Sequence, residues 1–433
     1  ESKYINFLAT PGIYTNRKPG EITDIRCPSD SYALHNKIFI MEDDTRTHLS
    51  APAMQKRYKS QTIADSITQM KRDFGRNLCH NLYGWWFDMY IPPTLSKMAV
   101  NSGTSLADGG SWWYDSIEIF ELIKKQQQIA KSALLCDRRR VSSIAVIMDE
   151  SSTLLGTHVY FQNSINWRCS ELARIGAPID FYYCDDLDNP RMPDYKLYIF
   201  LNVFMLDDEQ RQKIKRKTRK NNSTTLWMHA SGVCNQDAQK LFSHSNIENL
   251  TGIKMRYDSQ SIETTFDITM PDHGIINGCD SSLSHGRIKR DMFSNQTGKV
   301  SPGDQPNYQM PNFYPEDDNA NTLGHFVVNK APSLVCRDFQ TWRSIYCATQ
   351  FIGSDLLRAI AKNAGCHILC NSDDFISMYN SYLTLHAGSD GAKTLSMTKP
   401  CTPCELYTDK NYGENILEFT AEMKKGETLM FSI

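Results

Sequence analysis

The stretch 36-NKIFIMEDDTRTHLSAPA-53 decides how the rest of the chain is read. Ile38 to Met41 are four apolar residues in succession, the pattern of a strand covered on both faces. They run without a break into Glu42, Asp43 and Asp44, followed by Arg46 and His48. Such a cluster directly after a buried strand marks the carboxyl end of a parallel strand, where the chain emerges toward solvent.

The flanking sequence supplies the neighbours such a strand needs. The segment 4-YINFLATPGIY-14 begins apolar and breaks at Pro11-Gly12. Ile63, Ile67, Met70, Phe74 and Leu78 recur at helical spacing, which places Lys71, Arg72 and Asp73 on the opposite, solvent-facing side. A third strand is expected at 82-LYGWWFDM-89, and a second helix at 114-YDSIEIFELIKKQQQIAKSALL-135. Strand, helix, strand, helix is the grammar of a parallel α/β sheet.

Arg138-Arg139-Arg140 marks a boundary. Beyond it, 143-SIAVIMDE-150, 171-ELARIGAPIDFYY-183, 195-YKLYIFLNVFML-206 and 223-STTLWMHA-230 alternate with helical segments as a second α/β unit. The turn 150-ESSTLLGTH-158 holds one glycine, a poor phosphate cradle, so nucleotide binding is not expected. Polar, Gly/Pro-rich sequence around 258-335 reads as an irregular insertion. Period-2 stretches from 382 to the end suit a small antiparallel β-sandwich. The domains expected are therefore 1-140, 141-375 and 376-433.

Bulk composition narrows the function classes. Of 433 residues, 40% are hydrophobic and 11% aromatic, an ordinary globular composition. Lys+Arg 47 against Asp+Glu 49 leaves a net charge of -2, which argues against nucleic acid as a partner. The basic run 211-RQKIKRKTRKNN-222 reads as the solvated face of a surface helix. No apolar segment is long enough to span a bilayer. The chain begins at Glu1 without an initiator Met, which fits a processed or excised product. Acceptor triplets at Asn222, Asn249 and Asn295 tilt the compartment toward secretion. Thirteen scattered cysteines make no disulfide framework, and Cys401-Thr-Pro-Cys404 reads as chance or a local disulfide.

Carboxylates beside an arginine, with tryptophans close in sequence, suit sugar chemistry. Glycoside hydrolysis needs two carboxyl groups about the scissile bond, and flat aromatic faces cover the apolar face of a pyranose. The competing reading is a charged βα loop in which Arg46 simply pairs with an acid. Adjacent strand residues face opposite ways, so at most one of Trp85 and Trp86 points into a site; Trp112 and Trp113 fall in a loop. A metal set of Asp43, Asp44 and His48 is short of histidines, the other ten being dispersed. Neither metal nor cofactor is expected.

This order of parts resembles the family 42 glycoside hydrolases, the β-galactosidase-like barrel enzymes, as a divergent member. The resemblance rests on 38-IFIMEDDTRTHLS-50 and 83-YGWWFDM-89, which look like barrel strands seven and eight. It rests also on 143-SIAVIMDESS-152, 195-YKLYIFLNVFMLDDEQRQKIKRKTRK-220 and 426-GETLMFSI-433, which look like parts of the middle domain and final sandwich. It implies an α/β chain: the C-terminal portion of a (β/α)8 TIM barrel (strands six to eight), then a flavodoxin-like domain used in trimer formation, then the β-sandwich. By that resemblance Glu42 is the catalytic nucleophile of a retaining glycosidase acting on galactoside-like bonds. Asp44, Arg46, His48, Trp86, Asp88 and Trp113 are then the candidates for holding the sugar. Asp43, Asp44, Arg46 and His48 depart from the family's usual residues after the nucleophile, which leaves the sugar open. Strands one to five and the acid/base glutamate would lie on an N-terminal barrel half, in a separate segment or subunit. The rival is a non-catalytic carbohydrate-binding or structural assembly protein that kept this scaffold.

Overall fold

The computed structural model describes all residues except 1-2, 15, 24, 52-54, 56-59, 92-110 and 291-302. It divides into two compact units: 1-26, 36-141 and 369-433 form the first, and 27-35 with 142-368 the second. Both are mixed α/β. Among the described residues no helix is long and apolar enough to cross a membrane.

In the first unit, β1 (Phe7–Pro11), β2 (Ile38–Asp43) and β3 (Tyr83–Trp86) form a parallel sheet in that order. Helix α1 (Ile63–Cys79) joins β2 to β3, and α2 (Ile117–Ala133) follows β3. Thr62 caps α1 through a reciprocal box with Asp65. Side chains alternate across the sheet. Phe39 and Met41 are buried at 6% and 1% exposure, whereas Ile38 is 43% exposed. On the face shared with Ile38, Phe7, Tyr83 and Trp85 are also open to solvent. The expectation of burial on both faces therefore fails: among the described residues only the α1 side of β2 is covered.

The first unit is completed by an antiparallel sheet of β12 (Phe375–Tyr379), β13 (Tyr382–His386), β15 (Cys404–Glu405) and β17 (Thr428–Ser432), in the order β12-β13-β17-β15, and a pair β14 (Gly391–Cys401) and β16 (Ile416–Met423), the labels counting on from the second unit's strands. The two share a core that includes Leu383, Leu395, Phe419 and Phe431. Cys401 and Cys404 are free thiols there, so no local disulfide links them.

Helix α1 is enclosed on two sides. Toward β3, a Cβ on Gly84 would stand 3.8 Å from Asn77 Nδ2. Toward β13, a Cβ on Gly75 would stand 2.5 Å from Thr384. Arg72 and Asp73, read from sequence as solvent-facing, are 1% and 7% exposed. The helical spacing of apolar residues misassigned them because it presumes one wet face.

The second unit is built on an eight-stranded sheet. Its parallel strands are β4 (Ile144–Met148), β5 (Ile179–Tyr183), β6 (Leu197–Leu201), β7 (Ser223–Met228) and β11 (Trp342–Cys347), paired in the order β5-β4-β6-β7-β11. In chain order this is 2-1-3-4-5. Residues around 258-335 contribute β8 (Phe266–Ile268), β9 (Asn321–Phe326) and, running to 338, β10 (Pro332–Asp338), which extend the sheet antiparallel beyond β11. The edge strand β5 is not left bare, for the short helix Ser29–Leu34 lies along it. Asp30 accepts from Phe181 N at 2.9 Å and Ser31 Oγ from Tyr183 N at 2.7 Å.

The basic run at 211-222 is less solvated than expected. Arg211 is 2% exposed and donates to the carbonyls of Gly232, Cys234 and Asn246. Asn222 and Asn249 are exposed, and Asn295 lies outside the described residues.

The close contact at Gly75 yields a test. Alanine is the better helix former by about 1 kcal/mol, but here its methyl meets a fully buried Thr384. Gly75→Ala should therefore destabilise the protein by about 1–3 kcal/mol in denaturant titration. Combining it with Thr384→Ala should recover part of that loss.

Candidate functional site

Strand alternation sends the three successive acids to three environments. Glu42 is opposite Pro11 on β1 and Trp85 on β3, on the open face of the sheet. It is half-buried and borders a narrow cleft that Asp43, Asp44, Arg17, Asp73 and Arg76 also line. Asp43, opposite Trp86, faces α1. Asp44 lies past the strand end and is 3% exposed.

Asp43 Oδ1 accepts from Thr45 N at 3.1 Å and Thr45 Oγ1 at 2.6 Å. Its carbonyl accepts from Tyr114 Oη and Phe87 N, both at 2.8 Å. Burial, with the Asp73 carboxylate as second cause, pushes the Asp43 carboxyl up to about 6. Asp44 is held between two arginines, 2.6 Å from Arg17 Nη1 and 2.9 Å from Arg46 Nη1. The Arg46 guanidinium lies 4.1 Å over the Trp113 ring. Arg46 therefore pairs with an acid of its own loop, as the simpler reading of the sequence had it.

Beneath these groups runs a buried layer of charge carried by α1. Arg72 pairs with Asp73 and donates to the carbonyls of Arg17, Lys18 and Glu21. Arg76 donates to Thr23 O at 3.2 Å. Burial alone would raise the Asp73 carboxyl, but Arg72 and Arg76 hold it below the ordinary range. The layer clamps residues 17-23, and with them the arginine that fixes Asp44.

The remaining sequence candidates separate. His48 turns to α1, its Nδ1 3.1 Å from Ser66 Oγ, and burial lowers its pKa. Trp86 packs with Met70, Trp113 and Tyr114 in the cluster under α1 and α2. Trp113 is 4% exposed, whereas its neighbour Trp112 is 48% exposed and lies tilted against Tyr90, ring centres 5.3 Å apart. Asp88 is exposed and accepts from Tyr114 N at 3.3 Å. The tryptophan that shares a face with Glu42 is Trp85. Sequence reading named Trp85 beside Trp86 but chose Trp86, and it missed Arg17, Asp73 and Arg76. The available signal was Gly75 inside a helix rich in polar residues, which marks close packing on more than one side.

No family model and no curated protein sequence matches the chain. Solved structures do. A β-galactosidase from Bacillus circulans sp. alkalophilus matches 98% of this chain and 63% of its own at 13% identity, with a TM-score of 0.59. A β-galactosidase from the haloarchaeon Halorubrum lacusprofundi matches 99% and 63% at 11% identity, TM-score 0.55. A catalytic mutant of a GH42 β-galactosidase from G. stearothermophilus matches 93% and 60% at 11% identity, TM-score 0.54. The chain thus spans about three fifths of the length of these proteins. The likeness is one of fold, and at that level the resemblance to family 42 glycoside hydrolases read from the sequence is borne out.

Asp43 generates a pH prediction. The folded protein keeps its proton to about pH 6, while an ordinary aspartate releases it near 3.8. Between those values the folded state binds more protons, so this group's contribution to stability falls as pH rises. Asp43→Asn keeps the neutral form and the Thr45 contacts. It should stabilise the protein by about 1–3 kcal/mol above pH 6, with no gain at pH 3.5, as read from thermal midpoints.

Proposed function

We propose that the chain is the C-terminal part of a retaining glycoside hydrolase that cleaves β-galactoside-like bonds. The observation that carries this reading is the position of Glu42. It stands at the carboxyl end of the middle strand of a parallel sheet, on the face away from α1, with Trp85 beside it. In a β/α barrel that face is the interior and that end is where catalytic groups gather. On this reading β1 to β3 are barrel strands six to eight. The 2-1-3-4-5 sheet is the flavodoxin-like domain associated with trimer formation, and the C-terminal sheets are the sandwich.

The Glu42 carboxylate would attack the anomeric carbon and form a glycosyl-enzyme. An acid on the missing N-terminal half would protonate the leaving oxygen and later activate the water that releases the sugar. Trp85 offers a flat face to the pyranose, and the exposed Asp88 a hydrogen-bond acceptor. Asp44, Arg46 and Trp113 act behind them by holding the loop after β2. Two features support a separate N-terminal half. The face around Phe7, Ile38 and Tyr83 is apolar and open, and both β1 and β3 are edge strands among the described residues. A cleft of about 510 Å³ lined by Leu82, Tyr83, Trp85 and Leu134 lies beside β3, where further barrel elements would pack.

In the complete protein, with its N-terminal half, Glu42→Gln should lower kcat on an aryl β-galactoside by on the order of 10³-fold or more. Asp43→Asn should leave most of the activity, and Trp85→Ala should act mainly on KM. Full activity in Glu42→Gln would overturn the assignment. A wild-type protein that binds galactosides without hydrolysing them would assign the chain to the non-catalytic reading.

A further inference from the structure

Tyr14 follows β1 at the end of the sheet where Glu42 stands, and three guanidinium groups surround its ring. The Cζ atoms of Arg17, Arg26 and Arg46 lie 4.6, 5.0 and 5.9 Å from the ring centre. Arg17 and Arg26 come from the chain between β1 and β2, and Arg46 from the loop after β2.

Like charges gathered on one ring repel unless carboxylates balance them. Asp44 is the one carboxylate that pairs with these arginines among the described residues, and Arg17 and Arg46 share it. Arg26 makes no ion pair with a described residue. Its Nε and Nη2 both donate to Gly12 O, each at 3.3 Å, which is long for a charged donor. No described residue accepts from its Nη1. Three cations against one anion leave the cluster positive. Water reaches it, since Arg26 is exposed and Tyr14 is 36% exposed.

This cluster is continuous with the cleft at Glu42. Gly12, Arg17 and Asp44 line that cleft together with Glu42, and Arg26 is bonded to Gly12. Gly12 follows Pro11, the β1 residue opposite Glu42. Neighbouring strands lie about 5 Å apart. A sugar with its anomeric carbon at Glu42 therefore has ring substituents within reach of the Arg26 guanidinium. Planar guanidinium edges suit oxyanions, whose oxygens accept two parallel N–H bonds.

We propose that the sugar taken at Glu42 carries an anionic group, a carboxylate or a sulfate ester, bound by the outer N–H edge of Arg26. Arg17 and Arg46 add to the positive field around it, while remaining tied to Asp44. This inference rests on the glycosidase reading for where the sugar lies, and it adds the charge of the substrate.

The test uses the complete protein carrying Glu42→Gln, which should bind substrate without turnover. Calorimetry follows its binding of an aryl β-galactoside, the C6 sulfate ester of that compound and the aryl β-galacturonide. At least one of the two anionic compounds should bind about tenfold tighter than the neutral one, and raising the salt should shrink the difference. Which of the two binds better distinguishes sulfate from carboxylate. Adding Arg26→Gln, a change to an exposed side chain, should keep the thermal midpoint and erase the anionic advantage. Failure of both anionic compounds to outbind the neutral one overturns the proposal. So does an advantage that Arg26→Gln leaves intact in folded protein. Turnover by the protein with Glu42 in place separates the two readings. Hydrolysis of the galactoside with no anionic preference removes this proposal and keeps the glycosidase. An Arg26-dependent preference in binding, with none of the three compounds hydrolysed, keeps the anionic site and removes the glycosidase.

Discussion

Two arginines and an aspartate buried along α1 hold the first unit in its arrangement. Taking charges out of water is expensive unless they are paired and their remaining donors are used. Here Arg72 and Arg76 flank Asp73, and their outward N–H groups reach main-chain carbonyls between Arg17 and Thr23. Because the charges are satisfied internally, α1 can be covered on the sheet side and on the β13 side at once. Gly75 then allows the close approach to Thr384. The same bonds fix the loop that presents Arg17, and Arg17 fixes Asp44, which holds Arg46 above Trp113. A continuous line of ion pairs and carbonyl bonds thus runs from the helix interior to the rim of the sheet.

Much of this was open to reading in the sequence, and the exceptions have physical causes. The apolar run Ile38–Met41, the apolar segments of the second unit and the period-2 ending correspond to observed strands, and most of the charged cluster follows the first of them. These are signals carried by local periodicity. What local periodicity cannot carry is the number of covered faces. The Ile63, Ile67, Met70, Phe74 and Leu78 stripe of helix α1 reads as that of a surface helix with a wet side. Met70 of that stripe is buried and the other four only partly, whereas Arg72, Asp73 and Arg76 are buried. Strand β2 differs the other way, with two faces expected to be covered and one covered among the described residues. Choosing between Trp85 and Trp86 required the parity of β3, which is set by its pairing with β2 rather than by any residue of its own. Arg17 was out of reach for a similar reason: its partner Asp44 is 27 positions away, and nothing near either residue announces the pair.

The three acids at the end of β2 gather these points into one argument. Taken as composition, Glu42-Asp43-Asp44 is a single negative cluster and any member could be the reactive one. Three constraints separate them. Pleating puts Glu42 and Asp43 on opposite faces. The helix face is dry and already negative at Asp73, so a carboxyl there favours its neutral form, as Asp43 does. A carboxylate locked between two guanidinium groups is committed to structure, as Asp44 is, since both its oxygens are engaged by Arg17 and Arg46. A nucleophile at neutral pH must be ionised, reachable from outside and free to form a new bond. Asp43, on the helix face with Oδ1 held by Thr45, fails the second and third conditions, and so does Asp44. Glu42, on the open face beside Trp85, is the acid that geometry leaves reachable and uncommitted. The preference for Glu42 therefore does not rest on family resemblance alone; it follows from where the pleat, the helix and the arginines send its two neighbours.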